Sequence, residues 1–138
     1  MKSWLLVLAV LAALAAGVER AAACSCYPAV DPRRALASAD AAFVGRLVAK
    51  KPLPKFMALY TFRVEQVYKG RLGRTVTVLS GSSPDGCGFE VKVGGRTGLL
   101  LYRVKRQWRS YLCSELQPAT LRAAAHGRRA AAVHCGAP

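Results

Sequence analysis

Carboxylates are scarce in this chain: seven Asp and Glu stand against 21 Lys and Arg in 138 residues, a net charge of +14. Asp31, Asp40, Glu65, Asp85, Glu90 and Glu115 are spread out and form no evident pair for acid–base work. Histidine is nearly missing as well. His126 and His134 are the only two, both near the C-terminus and away from any serine in a nucleophile elbow. No glycine-rich phosphate loop opens a helix. No Cys-x-x-Cys pair occurs, and cysteine spacings of roughly 60 and 25 residues do not match a zinc ribbon. Internal repeats and linkers are absent too. These absences argue against catalysis, phosphate binding and structural zinc. The chain is therefore read as a non-enzyme that needs no cofactor.

Long apolar runs are also lacking. The longest, from Trp4 to Ala16, has 13 residues and is too short to span a bilayer comfortably. It has the size of a signal-peptide core, follows Lys2, and precedes Ala21-Ala22-Ala23, a small-x-small site for signal peptidase. Residues 1–23 are read as a signal peptide and 24–138 as one mature domain, secreted or extracytoplasmic, with no transmembrane span. Cleavage after Ala23 leaves Cys24 as a first residue with a free α-amine, unless a lipid is attached there. The mature chain keeps 19 basic and six acidic residues. Such an excess points to acidic partners: an anionic polysaccharide, an acidic protein surface or envelope lipid. Nucleic acid is set aside because of export and because no aromatic–basic recognition motif is present.

Five cysteines remain: Cys24, Cys26, Cys87, Cys113 and Cys135. In an oxidising compartment four of them make two bridges, and counting alone permits fifteen arrangements. Cys24 and Cys26 are too close in sequence to bond to each other without strain, so each reaches a distant partner. Cys135 is read as a stray thiol or an intermolecular partner.

Asp31-Pro32 is a helix start, an acidic N-cap followed by proline, and Arg33 to Ala39 is a short helix that Asp40 ends. Ala41 to Ala49 is a strand bent at Gly45, and Lys50 to Lys55 is a loop punctuated by proline. In the next strand Tyr60, Phe62 and Val64 alternate with Thr61, Arg63 and Glu65, and the phase breaks at Val67-Tyr68, which predicts a bulge. Thr75–Leu79, Phe89–Val93, Gly98–Val104 and Trp108–Cys113 are further short strands, with Leu99 to Tyr102 the most buried. A helix follows from Pro118 to about Arg129, then a frayed tail. Short strands bent at glycines, with one late helix, predict a mainly β fold: a small five-stranded barrel of the OB type with flanking short helices.

Cys24-Ser25-Cys26-Tyr27-Pro28, a short helix ending in Ala35-Leu36-Ala37-Ser38-Ala39-Asp40, and then a strand resemble the start of the tissue inhibitors of metalloproteinases. Val67-Tyr68-Lys69-Gly70 resembles that family's Tyr-Lys-Gly turn. Cys87-Gly88-Phe89 resembles its Cys-Gly-aromatic step, and Cys113-Ser114 its next cysteine. The matches come in the family's order and run from Cys24 to about Glu115. The wider group is the netrin-like modules, which share the OB-type barrel.

The resemblance implies bridges Cys24–Cys87 and Cys26–Cys113, and a metalloprotease inhibitor as the function. The α-amine and carbonyl of Cys24 would chelate the zinc of a secreted protease in place of its water. Ser25 would face the specificity pocket. Cys26, Tyr27, Pro28 and the loop residues Asp85, Gly86 and Cys87 would complete the contacting ridge. An α-amine of ordinary pKa, near 8, is partly unprotonated at neutral pH, and metal binding displaces the rest of the proton. The chain departs from the family at Ala37, where the family has a third cysteine, and in lacking its second, cysteine-rich domain. The alternative function is a netrin-like binding module, without inhibition, that recognises anionic polysaccharide or an acidic protein surface.

Overall fold

The computed structural model describes Cys24, Cys26 and residues 30–126. The signal segment 1–23, Ser25, Tyr27, Pro28, His134, Cys135 and the expected C-terminal tail lie outside the described residues. In order along the chain come α1 (Pro32–Ser38), β1 (Ala41–Leu53), β2 (Met57–Lys69), β3 (Thr75–Gly81), β4 (Arg96–Val104), β5 (Gln107–Arg109), β6 (Glu115–Leu116) and α2 (Pro118–Ala125). The sheet runs β1-β2-β3-β5-β4-β6, and β1 also pairs with β4. That extra pairing closes the first five strands into a barrel, with β6 hanging from β4. All neighbours are antiparallel except β3 and β5, which run parallel.

β1 makes closure possible because its two halves serve different neighbours. Ala41 to Arg46 pair with β4 on one side, while the whole strand pairs with β2 on the other. The bend falls at Gly45, where the register slips and where a Cβ would sit 2.6 Å from the Arg63 carbonyl oxygen and 2.8 Å from the Phe43 ring. A second slip skips Tyr68, the residue at which the alternation breaks.

Two cores share β1 and β4. Inside the barrel lie Phe43, Leu47, Tyr60, Phe62, Val78, Leu99 and Leu101, all essentially without solvent contact. On the outer face α1, β6 and α2 cover Ala42, Val44 and Leu100 with Ala35, Ala39, Leu116 and Leu121. Burying each leucine there contributes about 1.5–3 kcal/mol. β4 is therefore buried on both faces at Leu99-Leu100-Leu101.

Several local expectations are corrected. Lys50 to Leu53 are strand, not loop: Lys50, Lys51, Pro52 and Leu53 pair with Tyr60, Leu59, Ala58 and Met57. Pro52 is tolerated because this half of β1 has no second neighbour, so its missing N–H costs no ladder bond. Phe89–Val93 alternates but is not a strand. Phe89 plugs the barrel against Tyr60 and Phe62 at ring-centroid distances of 4.7 and 5.9 Å. The Glu90 and Val91 N–H groups donate to the Glu115 carboxylate, at 2.7 and 3.2 Å, instead of to a strand. Trp108–Cys113 is a strand only as far as Arg109, and a 3₁₀ turn takes Leu112–Ser114. Asp40 does not end α1, whose last N–H bond runs from Ala39 to Ala35. Its carboxylate accepts from the Arg103 N–H at 2.6 Å, tying the helix exit to β4. Among the described residues no helix is long and apolar enough to cross a membrane.

Candidate functional site

The chain from β3 to Cys87 folds so tightly that only glycine fits at two places. A Cβ on Gly81 would lie 1.9 Å from the Gly86 carbonyl oxygen, and one on Gly88 would lie 2.1 Å from that of Gly81. The two backbones thus cross in direct contact. Between them Ser83 caps a 3₁₀ turn, Pro84–Gly86, its hydroxyl accepting from the Gly86 N–H at 3.3 Å. The Gly88 N–H returns to the Ser83 carbonyl at 2.7 Å, and the Cys87 N–H to that of Pro84 at 3.0 Å. Cys87 closes the turn in the left-handed region, at φ 61°. That conformation disfavours a side chain with a Cβ and leaves the Cys87 side chain at the surface.

Cys24 is bridged to this exposed Cys87, with 5.5 Å between Cα atoms. Cys26, at 7% exposure, is bridged to Cys113 in the 3₁₀ turn after β5, with 5.4 Å between Cα atoms. These are the same two pairs that the resemblance implies. The two anchor points are joined to each other as well, because the Leu112 N–H donates to the Cys87 carbonyl at 3.0 Å. Cys24 Sγ lies 3.7 Å from the carbonyl oxygen of Asp85, so Asp85, Gly86 and Cys87 sit beside Cys24. Ser25, Tyr27 and Pro28, the remaining ridge residues named from sequence, lie outside the described residues.

Three further residues buttress this corner. Lys50 donates to the Ser82 carbonyl at 2.6 Å while lying over the Tyr60 ring. The Phe56 carbonyl, in the turn between β1 and β2, accepts from the Ser82 N–H at 2.8 Å. Tyr60 sends its hydroxyl to the Gly81 carbonyl at 2.7 Å, and burial raises its pKa. Glu115 follows directly on the turn that holds Cys113. Burial pushes its carboxyl above the ordinary range, against the pull of the two N–H groups it accepts from. Sequence reasoning missed these supports, since each works through a backbone atom distant in the chain.

Chemically, the corner presents one residue, Cys24, held by its own side chain and by that of Cys26 two positions on. The nitrogen and carbonyl oxygen of any single residue are placed to close a five-membered ring on a metal ion. Among the described residues no three His, Cys, Asp or Glu side chains come together to hold a metal of the chain's own. His126 faces the Tyr68 ring edge-on at 6.5 Å, away from this corner. No family model matches the chain, and no curated protein matches it.

Proposed function

We propose that the mature chain is a secreted inhibitor of zinc metalloproteases, similar in its mode of action to the tissue inhibitors of metalloproteinases. Signal cleavage between Ala23 and Cys24 would free the amine. Cys24 would then chelate the protease zinc through its α-amino nitrogen and carbonyl oxygen and displace the metal-bound water. The support is the paired anchoring: Cys24 and Cys26, separated by a single residue, are bridged to two turns, one exposed and one largely buried, that are hydrogen-bonded to each other. With the segment ordered on folding, little conformational entropy remains to be lost on binding. In this reading Ser25 enters the specificity pocket, and Asp85 and Gly86 line the flank.

The test is a mature protein whose first residue is acetylated, or extended by one alanine, assayed against a zinc endopeptidase with a fluorogenic peptide. The expected outcome is loss of inhibition with an unchanged circular dichroism spectrum and both disulfides intact by mass. Undiminished inhibition by the blocked protein removes chelation as the mechanism.

A further inference from the structure

Both helices meet the far end of β2, at Tyr68 and Lys69, whereas the outward residues of β2 up to Arg63, of β3 and of β5 are exposed or partly so. Strand register places the side chains of this face in rows across the barrel. Lys51, Leu59, Leu79 and Arg109 form one row through successive pairings. Thr61 and Thr77 form the next, with Gln107 beside them, its amide donating to the Thr77 carbonyl at 3.4 Å. Arg63 and Thr75 form the third. Lys51, Arg63, Arg109, Thr75 and Thr77 are exposed, and the remainder are partly so.

Cations outnumber carboxylates on this face. Among the described residues the ion pairs are Arg34 with Asp31 and, from both Arg46 and Arg96, Glu65. Glu65 is the carboxylate that follows Arg63 on this side of β2, and those two arginines occupy it. Among the described residues Lys51 and Arg109 have no carboxylate within ion-pair distance, while Arg63 shares the attraction of Glu65 with Arg46 and Arg96. The two-residue turn Lys105–Arg106, joining β4 to β5, adds two more exposed cations at the rim. Neighbouring strands lie about 4.8 Å apart and same-face residues about 6.8 Å apart along a strand. The cations are therefore spread around the convex side of the barrel rather than gathered into a pocket, which suits a polymer with repeated charges that can wrap it.

We propose that this β2–β3–β5 face binds an anionic polysaccharide, its cations meeting sulfate or carboxylate groups and its threonines and Gln107 meeting sugar hydroxyls. The middle of the face argues against nucleic acid. It displays threonines and two leucines without a ring, and Tyr102 and Tyr111, which border it beside Arg109, are already stacked on each other. The first row adjoins the Cys24 corner at Lys50 and Gly81, but none of the face's cations contacts Cys24 or its turn, so the assignment does not depend on the inhibitor reading.

Two double variants of equal net charge test it: Arg63→Gln/Arg109→Gln on the face, and Arg33→Gln/Arg34→Gln on α1. Binding to dextran sulfate at about 50 mM salt is measured for both, with folding checked by circular dichroism. The face variant should lose affinity by roughly tenfold, and the α1 variant by no more than about twofold. Acetylating Cys24 should change nothing. Equal losses from the two variants would reduce the interaction to unspecific charge and overturn the proposal. Tighter binding of poly(dT) than of dextran sulfate at matched charge would overturn it in favour of nucleic acid.

Discussion

At the scale of single residues, Glu115 holds more of this fold than its place after a cysteine suggests. Its carboxylate stands in for a missing strand, accepting the N–H groups of Glu90 and Val91 and so seating Phe89 in the barrel. Burial raises its pKa, so the folded state favours the protonated form. This contribution is fully present below the ordinary carboxylate range and is lost as pH rises through the higher folded-state value. Urea midpoints between about pH 4.5 and 7 should therefore fall with pH in the parent and change less in Glu115→Gln. An equal slope in both proteins would show that the group does not titrate abnormally. The amide, like the protonated acid, keeps one carbonyl acceptor for the two N–H groups, so at low pH the variant should stay within about 1 kcal/mol of the parent. None of this was legible in the sequence, because the bonded groups are 24 and 25 residues away. Asp31 was legible, because a cap acts locally: its side chain accepts from the Arg33 N–H at 2.9 Å, two residues on.

Elements were legible where periodicity and hydrogen bonding agree, and misread where they part. Tyr60, Phe62 and Val64 alternate and also pair, so β2 was found. Phe89 to Val93 alternates as well, but alternation reports one-sided burial rather than a ladder partner. The end of the β1–β2 hairpin failed for the opposite reason, since prolines and lysines conceal a paired edge. Its three-residue turn, Pro54 to Phe56, holds Lys55 and Phe56 at φ 60° and 57°, and the Phe56 side chain is 86% exposed. A left-handed residue with a Cβ costs about 1–2 kcal/mol, and glycine gives back about 0.5–1 kcal/mol through its freer unfolded chain. Phe56→Gly should therefore stabilise the protein by about 0.5–1 kcal/mol in chemical denaturation. A loss would mean that the ring makes a contact its exposure hides.

For the whole molecule, the barrel was legible in the number of short strands and in the bend at Gly45. The Cys24 corner followed only from resemblance, because pairing depends on which turns the closed sheet brings side by side. The two bridges span 63 and 87 residues. Chain entropy separates loops of those lengths by only about 0.3 kcal/mol, so burial decides which matters more. Cys26→Ser/Cys113→Ser, which opens the buried pair, should cost about 3–5 kcal/mol, and Cys24→Ser/Cys87→Ser about 2 kcal/mol. Thermal melts of the two variants check the order, and the reverse order would place the stabilisation at the outer turn. The inner bridge also fixes how the protein meets tension. All five barrel strands lie inside the covalent ring that Cys26 and Cys113 close, so a pull between the chain's two ends runs through the sulfur link and past the sheet. A tethered molecule would lengthen by little more than its terminal segments, and its barrel would stay intact under loads that unzip an unlinked one.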